Sequence, residues 1–171
     1  METKKQIDIS FSDNFFTEID HKLIYDYCIN APYRYGESDN KGDEYNTPPT
    51  GMSHDVPETS LIYKIISKTL YDRVEFIRDM KLQRMYINCF APKENGYFHQ
   101  DGDGYTFLYY PNLEEYHIDE GGETKFLVGD DIHGILPIPN RMAIFYGNIP
   151  HSATGFRNFH RFTVAIKYFP K

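Results

Sequence analysis

The chain is predicted to fold as an α+β protein: a jelly roll or small barrel of about eight short strands, buttressed by helices at its N-terminal side. Three observations predict this. Apolar residues recur at helical spacing in two stretches before residue 80. From Leu82 onward the period shortens to two, with turn residues at roughly even intervals. Helices first and strands afterwards is the order of an α+β arrangement. With 171 residues, no internal repeat and no low-complexity run, one domain over 1–171 is expected. Residues 1–81 would supply helices and a loop, and 82–169 the strand core.

The first helix is expected where Phe15, Phe16, Ile19, Leu23, Ile24 and Tyr27 recur, with Ser12 or Asp13 as N-cap. A long irregular segment, 31–55, follows and holds Gly36, Gly42, Pro48, Pro49 and Gly51. Loops of this length often serve as lids or binding loops. A second helix begins after Pro57, carries Leu61, Ile62, Ile65, Ile66, Thr69 and Leu70 as its stripe, and runs to Asp72 or Asp79. Strands are then expected at 82–90, 96–101, 105–110, 123–128, 134–138, 141–146, 151–156 and 160–169.

Composition narrows the function. A net charge of −7 argues against a protein that tracks nucleic-acid phosphates. No apolar run approaches bilayer length, and the polar start Met1-Glu2-Thr3-Lys4-Lys5-Gln6 lacks a signal core. Cys28 and Cys89 give no disulfide framework. A cytoplasmic protein without nucleic-acid or membrane partners is expected; its oligomeric state and substrate are not legible.

The chemistry-bearing feature is His99-Gln100-Asp101, with His151 fifty residues beyond Asp101 and Arg161 ten further on. Two imidazoles and one carboxylate, with coordination positions left open, are the ligand set of a non-haem Fe(II) oxygenase. Residues i and i+2 of a strand share a face, so His99 and Asp101 can grip one ion. The Arg161 guanidinium fork matches a carboxylate bidentately, such as the far end of 2-oxoglutarate. His117-Ile118-Asp119 repeats the motif, but its acidic surroundings closing on Gly121-Gly122 mark a loop. His54, His133 and His160 receive no role.

Alternation tests whether these residues face one way. In the last strand Arg161, Thr163, Ala165 and Lys167 share a face, opposite Phe162, Val164, Ile166 and Tyr168. Thr106, Leu108 and Tyr110 align in another strand, and Tyr86, Asn88 and Phe90 in the first. Polar groups on strands that otherwise bury apolar residues are what a pocket needs. The Tyr110 hydroxyl is thereby able to join Arg161 on one carboxylate.

From Leu82 to Phe169 the sequence resembles the Fe(II)/2-oxoglutarate-dependent oxygenases, in particular their prolyl-hydroxylase-like branch. The pieces that carry the resemblance are His99-Gln100-Asp101, Phe107-Leu108-Tyr109-Tyr110-Pro111-Asn112, Gly121-Gly122-Glu123-Thr124, Pro139-Asn140-Arg141-Met142-Ala143-Ile144-Phe145, His151 and Arg161-Phe162-Thr163. The resemblance implies a double-stranded β-helix of cupin-like form. It implies Fe(II) held by His99, Asp101 and His151, and 2-oxoglutarate held by Arg161 with Tyr110 and Thr163. Gly121-Gly122 would be the turn entering a core strand, with Thr124 lining the pocket. Phe90 stands where many relatives carry a co-substrate-binding tyrosine, which passes that contact to Tyr86 or Asn88, and Pro111 replaces a common leucine. The implied activity couples O2 and 2-oxoglutarate to hydroxylation of a C–H bond, with ascorbate as an auxiliary reductant; the carboxylate at Asp101 disfavours halogenation. The implied substrate is a peptide or protein.

Two other readings stay open on the residues. One is an enzyme hydroxylating a free amino acid or other small molecule. The other is a non-catalytic jelly-roll module binding a metal or ligand, which leaves Arg161 and Tyr110 unexplained. Tyr33, Tyr35 and Tyr45 either line a peptide groove or are ordinary loop tyrosines.

Overall fold

The computed structural model describes residues 9–36, 39 and 47–171; Met1–Gln6, Gly42 and Tyr45 lie outside them. Among the described residues ten strands form two antiparallel sheets. In chain order they are β1 (Ile9–Ser12), β2 (Arg34–Tyr35), β3 (Met52–Asp55), β4 (Met80–Phe90), β5 (Tyr105–Tyr110), β6 (Thr124–Val128), β7 (Asp131–Ile135), β8 (Arg141–Tyr146), β9 (His151–Ala153) and β10 (Arg161–Pro170). The larger sheet runs β1-β8-β5-β10-β4-β3-β2, and the smaller β7-β6-β9.

Alternation along the strands separates two apolar cores. Tyr86, Leu108, Tyr110, Ala143, Phe145 and Ala165 of the large sheet meet Phe126 and Ile135 of the small one, filling the interior of a jelly roll. Phe162, Val164, Ile166 and Tyr168 point the other way, onto Ile24 and Cys28 of helix α1 (Glu18–Asn30) and Ile62, Ile66 and Leu70 of helix α2 (Leu61–Arg73). A bulge after Lys167 shifts the register with β4, beyond the last interior residue, so Arg161 to Lys167 stay in phase.

Several elements differ from expectation. The first helix starts at Glu18, capped by Thr17, whose side chain accepts from the Asp20 amide. Its start is delayed because Asn140 captures the backbone before it: Asn140 Oδ1 accepts the Phe16 N–H and its amide donates to Phe16 O, both at 2.9 Å. Phe15 and Phe16 therefore enter the core as extended chain. The buried face of α1 is His21, Ile24 and Cys28, while Ile19 is 75% exposed. The second helix is capped by Ser60 and ends at Arg73, followed by a 3-10 turn over Glu75–Asp79. The loop 31–55 is less irregular than expected, since it contributes β2 and β3 to the sheet edge. β1, unforeseen, closes the opposite edge against β8. The strand expected at 134–138 lies at Asp131–Ile135, and that expected at 151–156 shortens to His151–Ala153. Residues 96–101 form no regular strand; they reach the small sheet through the isolated His99–His151 bridge and the Gly96 N–H, which donates to Ala153 O at 2.9 Å.

Candidate metal centre

The segment after β4 is shaped by close backbone approaches. A Cβ at Gly147 would sit 2.6 Å from Gly102 O, and the Asp101 N–H donates to Gly147 O at 2.7 Å. Reciprocal backbone bonds then join His99 to His151, at 3.0 and 2.9 Å. Two imidazoles distant in sequence thus stand side by side, with ring centroids 4.4 Å apart. His99 and Asp101 share a side of this irregular segment through these bonds, not through strand pleating.

Each imidazole donates its Nδ1–H to a carbonyl two residues earlier: His99 to Tyr97 O at 3.1 Å, His151 to Ile149 O at 2.8 Å. A carbonyl only accepts, so the proton is fixed on Nδ1 and the Nε2 lone pair is presented inward. His99 Nε2 lies 3.7 Å from Asp101 Oδ1, and His151 Nε2 lies 3.5 Å from Asp101 Oδ2. These separations are too long for hydrogen bonds. They suit one shared cation, since two ligand atoms each about 2.1 Å from an ion are at most about 4.2 Å apart. One donor atom from each of the three residues falls within 4.8 Å of the others.

The carboxylate is held from behind. Thr106 Oγ1 donates to Asp101 Oδ2 at 2.6 Å, and Lys167 Nζ to Oδ1 at 2.7 Å. Burial alone would raise the Asp101 carboxyl; the Lys167 ammonium, charged and hydrogen-bonded to it, opposes burial, and the carboxyl lies well below the usual carboxylate range. Burial pushes His99 below its ordinary value, toward the neutral ring that a ligand must be. Burial opposes the Lys167 charge, but Tyr86 and Asp101 more than restore it. Lys167 was placed on the right face by alternation; its bond to Asp101 was not foreseen, because β10 and the 91–104 segment meet only in three dimensions.

A second cation lies in the same interior. Arg161 is 2% exposed; Nε donates to Gly122 O at 2.7 Å and Nη2 to Thr124 Oγ1 at 2.8 Å. Gly121 and Gly122 have positive φ, 70° and 81°, and this turn aims the Gly122 carbonyl at the guanidinium. The Tyr110 hydroxyl meets the same Thr124 oxygen at 2.8 Å, so tyrosine and arginine are linked through threonine. Among the described residues no carboxylate lies within ion-pair distance of Arg161. Burial pushes its charged form down, as it pushes Tyr110 up toward the neutral phenol. A narrow cavity connects this end to the triad, lined by Thr124, Arg161, Thr163, Asn88, Tyr86 and the three candidate ligands. A wider cavity of about 190 Å³ opens outward, with Asp39, Thr50, Asn88, Gln100 and Lys167 on its walls.

The other histidines lie elsewhere, His21 buried on α1 with Nε2 2.9 Å from Pro111 O. His117 caps an exposed 3-10 turn, its Nδ1 accepting the Asp119 N–H at 3.3 Å. His54 Nε2 meets Tyr27 Oη at 3.0 Å, His160 stacks on Phe162, and His133 lies exposed on β7. Tyr33 turns inward and donates to Cys28 O, whereas Tyr35 is exposed. Among the described residues no helix is long and apolar enough to cross a membrane.

No protein-family model matches the chain, and no curated protein sequence does. Solved structures do. A prolyl hydroxylase from Trichoplax adhaerens, in complex with a hypoxia-inducible-factor peptide, superposes with a TM-score of 0.76 at 14% identity, covering 96% of this chain and 84% of that one. The viral collagen prolyl hydroxylase of Paramecium Bursaria Chlorella virus-1, with 2-oxoglutarate, gives 0.69 at 15% identity over 95% and 96%. HygX from Streptomyces hygroscopicus, with nickel and 2-oxoglutarate bound, gives 0.70 at 10% identity over 96% and 84%. The fold is the double-stranded β-helix of these oxygenases.

Proposed function

We propose that this chain is an Fe(II)- and 2-oxoglutarate-dependent dioxygenase that hydroxylates a C–H bond. The observation that carries the reading is the buried Arg161, which has no carboxylate partner among the described residues and opens into the same cavity as His99, Asp101 and His151. A buried cation is costly unless paired, and the co-substrate's C5 carboxylate is the partner the cavity would admit.

The donor set fits Fe(II): two neutral imidazoles and one carboxylate occupy three positions and leave the others open. When bound, iron and 2-oxoglutarate supply the oxidising chemistry, converting O2 and the co-substrate to succinate and CO2 as a substrate C–H is hydroxylated. The chain's own part is orientation. His99 and His151 present Nε2 because Tyr97 O and Ile149 O hold their Nδ1 protons. Thr106 and Lys167 fix the Asp101 carboxylate. Arg161, steadied by Gly122 O and Thr124, offers its fork to the far carboxylate, with Tyr110 acting through Thr124. Thr163, Tyr86 and Asn88 line the path between, and the apolar shell of Phe126, Phe145 and Leu108 excludes water.

A peptidyl residue is the proposed substrate, supported by the peptide-bound structural neighbour and by the outward cavity, which reaches Met52 and Ser53 of β3, the strand that pairs with β2. The polar wall of Asp39, Thr50 and Asn88 favours a second reading, hydroxylation of a free amino acid. The cofactor reading is tested by adding Fe(II) and 2-oxoglutarate anaerobically and recording the weak visible charge-transfer band. The band is expected in the wild type, absent in His99→Ala and diminished in Arg161→Ala; a folded, iron-loaded wild type without it overturns the reading. Succinate release with proline-containing peptides against free amino acids then separates the two substrates.

A further inference from the structure

Asp39 is a largely buried carboxylate that neither the triad nor the co-substrate pocket uses. Its side chain is 19% exposed, and a carboxylate is withdrawn from water at a cost that partners must offset. Oδ2 accepts the Tyr97 N–H at 2.7 Å and the Thr50 hydroxyl at 3.2 Å. Oδ1 lies 3.5 Å from Nδ1 of His99, on the side of the ring away from the metal-facing nitrogen. The fit is close: a Cβ at Gly96 would come within 3.2 Å of Asp39 Oδ2.

A second carboxylate clasps the same turn without touching the histidine. Glu94 Oε1 accepts the Gly51 N–H at 2.6 Å and Oε2 the Ala91 N–H at 2.9 Å. Glu94 therefore has the job of fastening chain to chain, and it shows that fastening does not require a group beside His99. Asp39 does both.

We propose that Asp39 is a positioning residue for the metal ligand His99. Its carboxylate braces Tyr97, whose carbonyl takes the Nδ1 proton, and its negative charge beside Nδ1 strengthens Nε2 as a donor. Such outer carboxylates orient ligating imidazoles and raise their basicity. The inference rests on the triad being a metal centre.

The test uses Ni(II) alone, without 2-oxoglutarate, by competition with a chromophoric chelator, beside thermal unfolding of the metal-free proteins. Asp39→Asn keeps an acceptor for Tyr97 and Thr50 but removes the charge. It is expected to weaken Ni(II) binding about 10-fold with a metal-free Tm close to wild type. Glu94→Gln is expected to lower that Tm and leave Ni(II) affinity within about twofold. Wild-type affinity in Asp39→Asn overturns the proposal, as does weakening in both variants in proportion to lost Tm. Should Asp39→Asn fail to fold, Asp39→Ser, which removes the charge and leaves the Tyr97 N–H to water, is read against Glu94→Gln: weaker Ni(II) binding than Glu94→Gln at a like loss of Tm supports the proposal, and equal binding overturns it. A wild type that binds no Ni(II) removes the premise. Intact Ni(II) binding without the 2-oxoglutarate band leaves this inference standing and sinks only the co-substrate reading.

Discussion

Replacing Arg161 by Met isolates the reason for burying a guanidinium in this interior. The substitution removes a charge that is 2% exposed and has no carboxylate partner among the described residues. Replacing buried ionic groups by apolar ones of similar volume is often neutral or stabilising, by about 1–4 kcal/mol. Against this, Gly122 O loses its Arg161 donor, at about 1–3 kcal/mol for an unsatisfied buried acceptor. Thr124 keeps Tyr110 and loses less. The opposing effects nearly cancel, so the metal-free variant is expected within about 2 kcal/mol of wild type. Ligand response behaves differently. At a 2-oxoglutarate concentration 100-fold above Kd the wild type gains about 2.7 kcal/mol, which is about 5–11 °C in Tm for a chain of this size. Thermal unfolding with Ni(II), titrated with 2-oxoglutarate, should show that rise in the wild type and lose it in Arg161→Met. A variant that keeps the shift, or one that collapses without ligand, would refute the argument that this cation is retained for a missing anion.

Lys167→Met breaks an ion pair whose members are 16% and 5% exposed. About 3 kcal/mol should be lost in denaturant unfolding of the metal-free protein, and less with metal bound, since the ion then supplies the positive charge beside Asp101. Gly122→Ala would place a Cβ 2.4 Å from the Phe156 ring at a positive φ. A loss of about 1–3 kcal/mol is expected, together with weaker 2-oxoglutarate binding because the carbonyl that steadies Arg161 is displaced; calorimetric titration reads the latter. For pH, the folded Asp101 carboxyl lies below its unfolded value, so its contribution is complete above about pH 4 and drains away as pH falls. Acid unfolding of the metal-free wild type should therefore steepen below about pH 4, and Asp101→Asn should flatten it.

By itself the sequence determined which residues face together. Alternation put Arg161, Thr163, Ala165 and Lys167 on one side of β10 and Phe162, Val164, Ile166 and Tyr168 on the other, because a pleated strand has a period of two whatever it packs against. The shift from helical to strand period placed α2 and most core strands, and the acidic, glycine-closed setting of His117 set it apart from His99. Tertiary structure decided what local pattern does not encode. The first helix waits for Thr17 because Asn140, more than 120 residues away, holds the Phe16 backbone. Residues 96–101 have aromatic, strand-like composition but lie as an irregular segment, since their partners are isolated bridges and close glycine approaches. Lys167 meets Asp101, and Asp39 meets His99, across separations of 66 and 60 residues. Side-chain pairs of that kind arise from register and sheet closure, which depend on the whole chain at once and leave no periodic signal in any one stretch of it.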